Sequence, residues 1–459
     1  MKFSIGKRCQ SALRRVTLAA MLSGVALPAL AESLGDTLVA AYRNSALLDQ
    51  NRAVLRAADE DVATAMASLR PVVEWALSHN FTDFNGAEST TTTLELTASM
   101  TLYDFGRSQA AIDMAKETVL STRYALVAVE QDILLTAVQA YMDVRAALEQ
   151  VDLQQNSVRV LGQELQAAQD RFDVGEITVT DVALANAQLA ASRAALSAAE
   201  GELEVARENY AAATGAPPQG LDAPPPLPNR PGSVAAAQTT AQRNHPAILQ
   251  ASREVAAAEL AVVAAAVERN PTLAGTASAQ TNKDGDTQAV VGLQLSQQIY
   301  TGGRLSAAHR KAMANRDAAR SALLNTSRQV TQAVGTAWAN IEVASAQIGA
   351  INEQISAAQQ AYDGVREEAT LGARTTLDVL DAEQSLLEAR ADLISAEATL
   401  QLAHYQLLAA MGLLTVEDLN LGIPTYDPSE YYNAVRDAPY TSRQGENLDR
   451  VLRALNRGN

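Results

Sequence analysis

The chain has 459 residues, 36 Lys and Arg against 52 Asp and Glu, a formal net charge of −16, and a single cysteine. So acidic a chain repels nucleic acid and anionic headgroups. One cysteine, Cys9, allows neither an internal disulfide nor a thiolate cluster.

Residues 1–31 read as a secretory signal peptide. Lys2, Lys7, Arg8, Arg14 and Arg15 precede the apolar run VTLAAMLSGVAL and the ending Ala29-Leu30-Ala31. The apolar run is shorter than the roughly 20 residues of a retained span, and no later segment offers about 18 consecutive apolar residues, so no transmembrane helix is expected. Cleavage would remove five of the 36 bases and no acid, leaving 31 bases, 52 acids and a net charge of −21. Cys9 would leave with it, and no lipoprotein-type cleavage box precedes it, so no acyl anchor is expected.

Residues 34–70 are rich in Ala, Leu and charged side chains and lack Pro, which predicts one helix ended by Pro71. Val73, Trp75, Leu77 and Phe81 then alternate with polar or small residues, with His79 interrupting the apolar side. A second run follows, in which Leu94, Leu96, Ala98, Met100 and Leu102 alternate with Thr93, Glu95, Thr97, Ser99 and Thr101. A period of two predicts a hairpin with one apolar and one polar face, turning in the polar stretch TDFNGAEST. From Phe105 to Phe172 the pattern is helical for a length on the order of 100 Å. Along it Leu134, Val138, Tyr141, Val144, Leu148 and Val151 form a coiled-coil-like seam. A further helix is predicted over 178–214, able to stack end to end with 34–70 and so match the long helix.

The chain then repeats itself. LYDFGR (102–107) recurs as IYTGGR (299–304), and VGEITVTDVALANAQL (174–189) aligns with LGARTTLDVLDAEQSL (371–386) at the same offset. The organisation expected is therefore a signal peptide (1–31), a first repeat (32–215), a Pro-rich linker (216–233), a second repeat (234–415) and an irregular or disordered tail (416–459). The linker holds seven of the 14 prolines and reads as an extended connector with no part in the core. The second seam is Trp338, Ile341, Ile348, Ile351 and Ile355.

Alternating strands in an exported chain have few uses. A strand-built span must close into a barrel, and bacterial barrels start at about eight strands. Four strands per chain would demand oligomerisation. The other reading is a pair of edge hairpins on a soluble periplasmic coiled-coil scaffold or adaptor.

The duplicated layout, the YDFGR and YTGGR turns, RFDVGEITVTDV and LGARTTLDVLDAEQSLLEARADL resemble the TolC family of outer-membrane export ducts, over about Ser33 to Gly412. The resemblance implies an α+β membrane protein. It would be a homotrimer whose four strands per chain form a 12-stranded barrel, continued by a 12-helix periplasmic tunnel. The implied partners are outer-membrane lipid, a periplasmic adaptor (membrane fusion) protein and an inner-membrane ABC or RND transporter. The implied function is passive export through a gated entrance, in efflux or type I secretion, with no cofactor.

Locally, Thr178-x-x-Asp181 after Gly175 and Thr375-x-x-Asp378 after Gly372 fit capping boxes that restart a helix after a glycine stop. Asp381 and Arg374 have no such local role, since Leu184 and Ile177 stand in their places in the first copy. By resemblance, Asp378 and Asp381 are the carboxylates of the pore entrance. Three chains would bring six of them together and attract or be blocked by multivalent cations. Arg374 matches a latch bonded to Thr180 and Asp181, although Ala369 stands where the family uses a tyrosine. Val174, Gly175, Leu371 and Gly372 match the tips that meet the adaptor. Enzymatic signatures are missing: no H-E-x-x-H, G-x-S-x-G or G-x-x-x-x-G-K-[ST] occurs, and no Glu stands three residues before any of the four His. No metal site is expected beyond that cation block.

Overall fold

The computed structural model describes residues 31–436 and 450, so nearly all of the expected signal peptide and most of the chain beyond Arg436 lie outside the described residues. In chain order the elements are α1 (Leu34–Asn44), α2 (Ala46–Ala67), β1 (Val72–Phe84), β2 (Ala87–Tyr103), α3 (Arg107–Asp173), α4 (Val179–Thr214), α5 (Val234–Asn244), α6 (Pro246–Val267), β3 (Thr272–Asn282), β4 (Thr287–Ser296), α7 (Arg304–Thr370), α8 (Thr376–Met411) and α9 (Pro428–Val435).

The helix expected over 34–70 is two helices. Ser45 is extended (ψ 108°) and its hydroxyl accepts from Leu48 N, which ends α1 and caps α2. The second copy breaks at the same place, where Pro246 opens α6 without needing an N–H partner. The short helices do stack end to end. Asn44 Nδ2 donates to Thr214 O at 2.7 Å, joining α1 to α4. In the second copy a Cβ on Gly412 would lie 2.8 Å from Asn244 O, so the end of α8 abuts the end of α5.

The strands form one antiparallel sheet in the order β1-β2-β3-β4, with β2 of the first copy paired to β3 of the second. β1 and β2 run past the polar stretch expected to be loop, and only Asn85 (φ 57°) and Gly86 (φ 81°) make the turn. In the second copy β4 ends at Ser296, short of Ile299. Register puts Trp75 beside Leu96 and Val73 beside Ala98, then Ala98 beside Ala277 and Ala277 beside Val291. One face is therefore apolar across all four strands, yet Trp75, Leu77, Leu96, Val291 and Leu293 are exposed. The other face carries Glu74, Thr97 and Ser278 in one row and Glu95, Gln280 and Gln288 in another. His79, which interrupts the apolar pattern, shares a 2.9 Å hydrogen bond with Thr92 across the pair.

The helices build a wall rather than a globule. Near the sheet α3 packs on α2, through Val119 against Leu55 and Val62; near the far end it packs on α4, through Leu161 and Ala168 against Ala185 and Leu189. Arg253 of α6 pairs with Glu117 of α3, and Arg366 of α7 with Glu164 of α3. The seam is the largest core: Leu134, Val138, Tyr141, Val144 and Val151 are buried with α1, α4, Leu414 and Val416. One stretch of α3 is long and apolar enough to cross a membrane by length and composition. Nearly half of it is buried in this chain, and as part of the seam it is accounted for as core.

The linker does reach the core. Leu221 is buried, Glu32 N donates to Gly220 O at 2.7 Å, and Tyr141 OH donates to Asp222 O at 2.7 Å. It then crosses to α8 and α7, where Gln401 donates to Pro225 O and the Arg230 guanidinium lies 4.9 Å from the Trp338 ring centre. The segment after α8, expected to be irregular, contains α9 packed on α2.

Candidate functional site

At the end of the wall opposite the sheet, two turns join α3 to α4 and α7 to α8, built alike. Gly175 (φ 83°) and Gly372 (φ 78°) take left-handed conformations that a Cβ disfavours. Glu176 N donates to Arg171 O and Ala373 N to Glu368 O, both at 2.9 Å, closing the last turn of each long helix. Each following helix restarts on a capping box, Thr178 with Asp181 and Thr375 with Asp378. Asp378 Oδ2 accepts from Thr375 N at 2.9 Å and Thr375 Oγ1 at 2.8 Å. These bonds hold the Asp378 carboxyl below its ordinary value, and Thr178 does the same for Asp181.

Asp381 is exposed one turn further along α8, outside the capping box, and its backbone carbonyl accepts from Ser385 Oγ at 2.9 Å. Val379 and Leu380 between the two aspartates are buried. Val379 faces Tyr362 and Ala369 of α7; Leu380 joins the α3–α4 core. Asp378 and Asp381 therefore flank a buried pair on a helix wedged between two others. Val174 and Leu371 are among the most exposed apolar side chains outside the sheet, at 71% and 81%.

Within the single chain Arg374 bonds Glu368, Nε to Oε2 at 2.8 Å, and that carboxylate raises the guanidinium's already high pKa. Thr180 is exposed, and Asp181 spends Oδ2 on Thr178. Ala369, which stands where the family uses a tyrosine, is buried in a cluster with Tyr362 and Val379.

Two acids near this end were not anticipated. Glu368 is the partner of Arg374. Glu383 stands in the buried stripe Val379–Glu383–Leu386 of α8, with Oε2 unbonded. Burial, with Glu164 adding repulsion against the pull of Arg366, lifts its carboxyl from 4.5 to about 7. The signal was there to read: a charge at an apolar position of a three-four stripe. Among the described residues no group of three or more His, Cys, Asp or Glu could hold a metal ion.

The family model described as "Outer membrane efflux protein" matches residues 37–216 and 238–413, the two copies. The chain is 35% identical to "Outer membrane efflux protein BepC" of Brucella suis over 95% of its own length and 98% of that protein. It is 26% identical to "Outer membrane protein TolC" of Escherichia coli over 87% of its own length and 86% of that protein. Its fold superposes on a crystal structure of CusC with a TM-score of 0.76, at 19% identity, covering 83% of this chain and 92% of that one.

Proposed function

The chain belongs to the outer membrane efflux protein family and is an outer-membrane export duct of a TolC-like efflux system, and from that premise we propose how the duct assembles and opens. Three copies join their sheets edge to edge, β4 of one chain to β1 of the next, into a 12-stranded barrel. Their helices continue it as a 12-helix tunnel. The observation that carries this reading is the sheet: its apolar face is exposed across all four strands, its other face is mostly polar, and β1 and β4 each have an edge unpaired among the described residues. In hydrocarbon both edges must find partners, and three such sheets can supply them to one another while the polar face lines water. A soluble scaffold would leave Trp75, Leu77, Leu96 and Leu293 against water.

The entrance lies at the turns. Asp378 and Asp381 from three chains ring it, select cations and are blocked by multivalent ones, and Arg374 holds it shut on Thr180 and Asp181. Val174, Gly175, Leu371 and Gly372 present a small, apolar surface to a periplasmic adaptor, which couples the duct to an inner-membrane transporter. The duct itself conducts passively, with an energised partner driving transport.

Fractionation followed by unheated electrophoresis tests the assembly. A heat-sensitive trimer in the outer membrane is expected, forming cation-selective channels in planar bilayers. A soluble monomer would overturn it.

A further inference from the structure

The segment after α8 turns back onto the helical body. Leu414 and Val416 are buried, Val416 N donates to Glu130 Oε1 at 2.8 Å, and Tyr426 N donates to Tyr42 OH at 3.4 Å. Residues 425–436 then lie over α2 and α3 as a strap. Arg52 of α2 is held between rings, 5.2 Å from the centre of Tyr42 and 5.4 Å from that of Tyr426. Arg123 of α3 lies 5.6 Å from the Tyr432 ring centre and donates to Pro428 O at 3.2 Å. Tyr431 OH donates to Glu60 Oε1 at 2.7 Å.

Beneath the strap is a carboxylate with no hydrogen-bond partner among the described residues. Asp59 follows Leu55 and precedes Val62 on the buried stripe of α2, is 0% exposed, and bonds through neither oxygen. Tyr426 and Tyr432 of the strap pack on the same Leu55–Val62–Val119 cluster. The groups that act on this site come from each element around it: Arg52, Arg56 and Glu60 from α2, Arg123 from α3, and the hydroxyls of Tyr426 and Tyr431 from the strap. The Tyr426 hydroxyl is itself buried with no hydrogen-bond partner among the described residues. Arg123 is the cation that acts on Asp59, and the strap already engages it. One guanidinium thus has two competing claims on it.

We propose that the strap is a proton-sensitive clasp: with Asp59 neutral, Arg123 stays with Tyr432 and Pro428 and the strap is docked; with Asp59 ionised, Arg123 is drawn inward and residues 425–436 loosen. An ionised carboxylate sealed from water without hydrogen bonds is costly, and undocking the strap readmits water to it. Burial lifts the Asp59 carboxyl from 3.8 to about 6, with Arg123 pulling against the shift and Glu60 adding to it. Because the docked value is raised, the contribution to docking is complete below pH 3.8 and is lost as pH rises through about 6. The clasp therefore holds in acid and slackens at neutral pH.

Hydrogen exchange on the purified full chain in detergent, corrected for the intrinsic pH dependence of exchange, tests this at pH 5 and pH 8. Protection of α9 amides is expected to fall at least about tenfold between the two, the change that one unit of pKa difference between docked and undocked states produces. Asp59→Asn and Asp59→Leu are each expected to retain the acid level of protection at pH 8, while α4 shows no such change. Equal wild-type protection at both pH values overturns the proposal even if neither variant folds, and so does a pH dependence that survives in Asp59→Asn.

Discussion

Arg374 and Glu368 pair across the turn that closes at Gly372, Nε to Oε2 at 2.8 Å, with both side chains about half exposed. A pair so exposed is screened by water and contributes little to stability. The guanidinium can therefore leave it for Thr180 and Asp181 of the assembled duct at little cost, and a planar, permanently charged donor suits that exchange. Arg374→Ala is expected to raise single-channel conductance severalfold while the melting temperature stays within about 1 °C of wild type. Glu368→Ala is expected to leave conductance unchanged. If Arg374→Ala conducts like wild type, the latch is not at this residue.

Asp378 and Asp381 separate two roles that one double mutant would merge. Asp378 is the third residue of the capping box whose N-cap is Thr375, and it accepts from both Thr375 N and Thr375 Oγ1, so replacing it weakens the start of α8. Asp381 takes no part in the capping box. Asp381→Asn should weaken cation selectivity and block by multivalent cations with no loss of stability, whereas Asp378→Asn should lower both selectivity and melting temperature. Reversal potentials in a salt gradient, with calorimetry alongside, check it. Unchanged reversal potentials in both variants would remove the carboxylate ring from the entrance.

How much of this was legible in the sequence follows from which interactions are local. Strand alternation in the first copy, the first seam, the capping boxes and the glycine stops are set by neighbours within a few residues, and the structure has them where the spacing put them, whereas the second seam is split, with Trp338 and Ile341 in one cluster and Ile355 in another. The break at Ser45 escaped because its neighbours favour helix and one hydroxyl decides it. The linker's Leu221 and the α9 strap escaped because their partners, Glu32 and Tyr141 for the one and Glu60 and Arg123 for the other, are distant in sequence. Asp59 and Glu383 are charges in apolar stripes, visible as anomalies, but their burial depends on helices packed from elsewhere in the chain.

Glu383 gives the far end of the wall a pH dependence of known sign. Its carboxyl is lifted from 4.5 to about 7 where α3, α7 and α8 meet, so the packed form prefers the neutral acid. That preference stabilises fully below pH 4.5 and is lost as pH rises through about 7. Glu383→Gln, neutral at every pH, should melt higher than wild type at pH 8 by an amount equivalent to about 1 kcal/mol and match it at pH 4. A difference of equal size at pH 4 and pH 8 would mean that packing, and not charge, is what the substitution changes.

Two glycines of similar conformation should respond very differently to alanine. Gly372 (φ 78°) has nothing within 4 Å of an added Cβ, so Gly372→Ala meets only backbone strain, about 1 kcal/mol. Gly412 (φ 79°) has Asn244 O and His245 Cα at 2.8 Å, both backbone. Gly412→Ala must therefore push the end of α8 away from α5 and α6, and trimer yield is expected to collapse, while Gly372→Ala assembles normally. Equal yields would mean that the end-to-end stack yields more easily than its contacts imply.

The sheet supplies the sharpest test of which face meets lipid. Trp75 and Glu95 sit on paired strands, Trp75 opposite Leu96 on the apolar face and Glu95 opposite Ala76 and Gln280 on the polar one. A cation on the lipid face near the middle of a membrane strand costs about 2–4 kcal/mol, whereas one facing a wet lumen costs little. Trp75→Arg is therefore expected to abolish or sharply reduce the trimer in the outer membrane, and Glu95→Arg to assemble normally. In the assembled Glu95→Arg duct, three acids become three bases along the lumen, so its cation selectivity should fall even though the entrance aspartates are untouched. Normal assembly of Trp75→Arg together with failure of Glu95→Arg would invert the faces. Failure of both would mean that the sheet tolerates no added charge, and the assignment of a water-lined polar face would go with it.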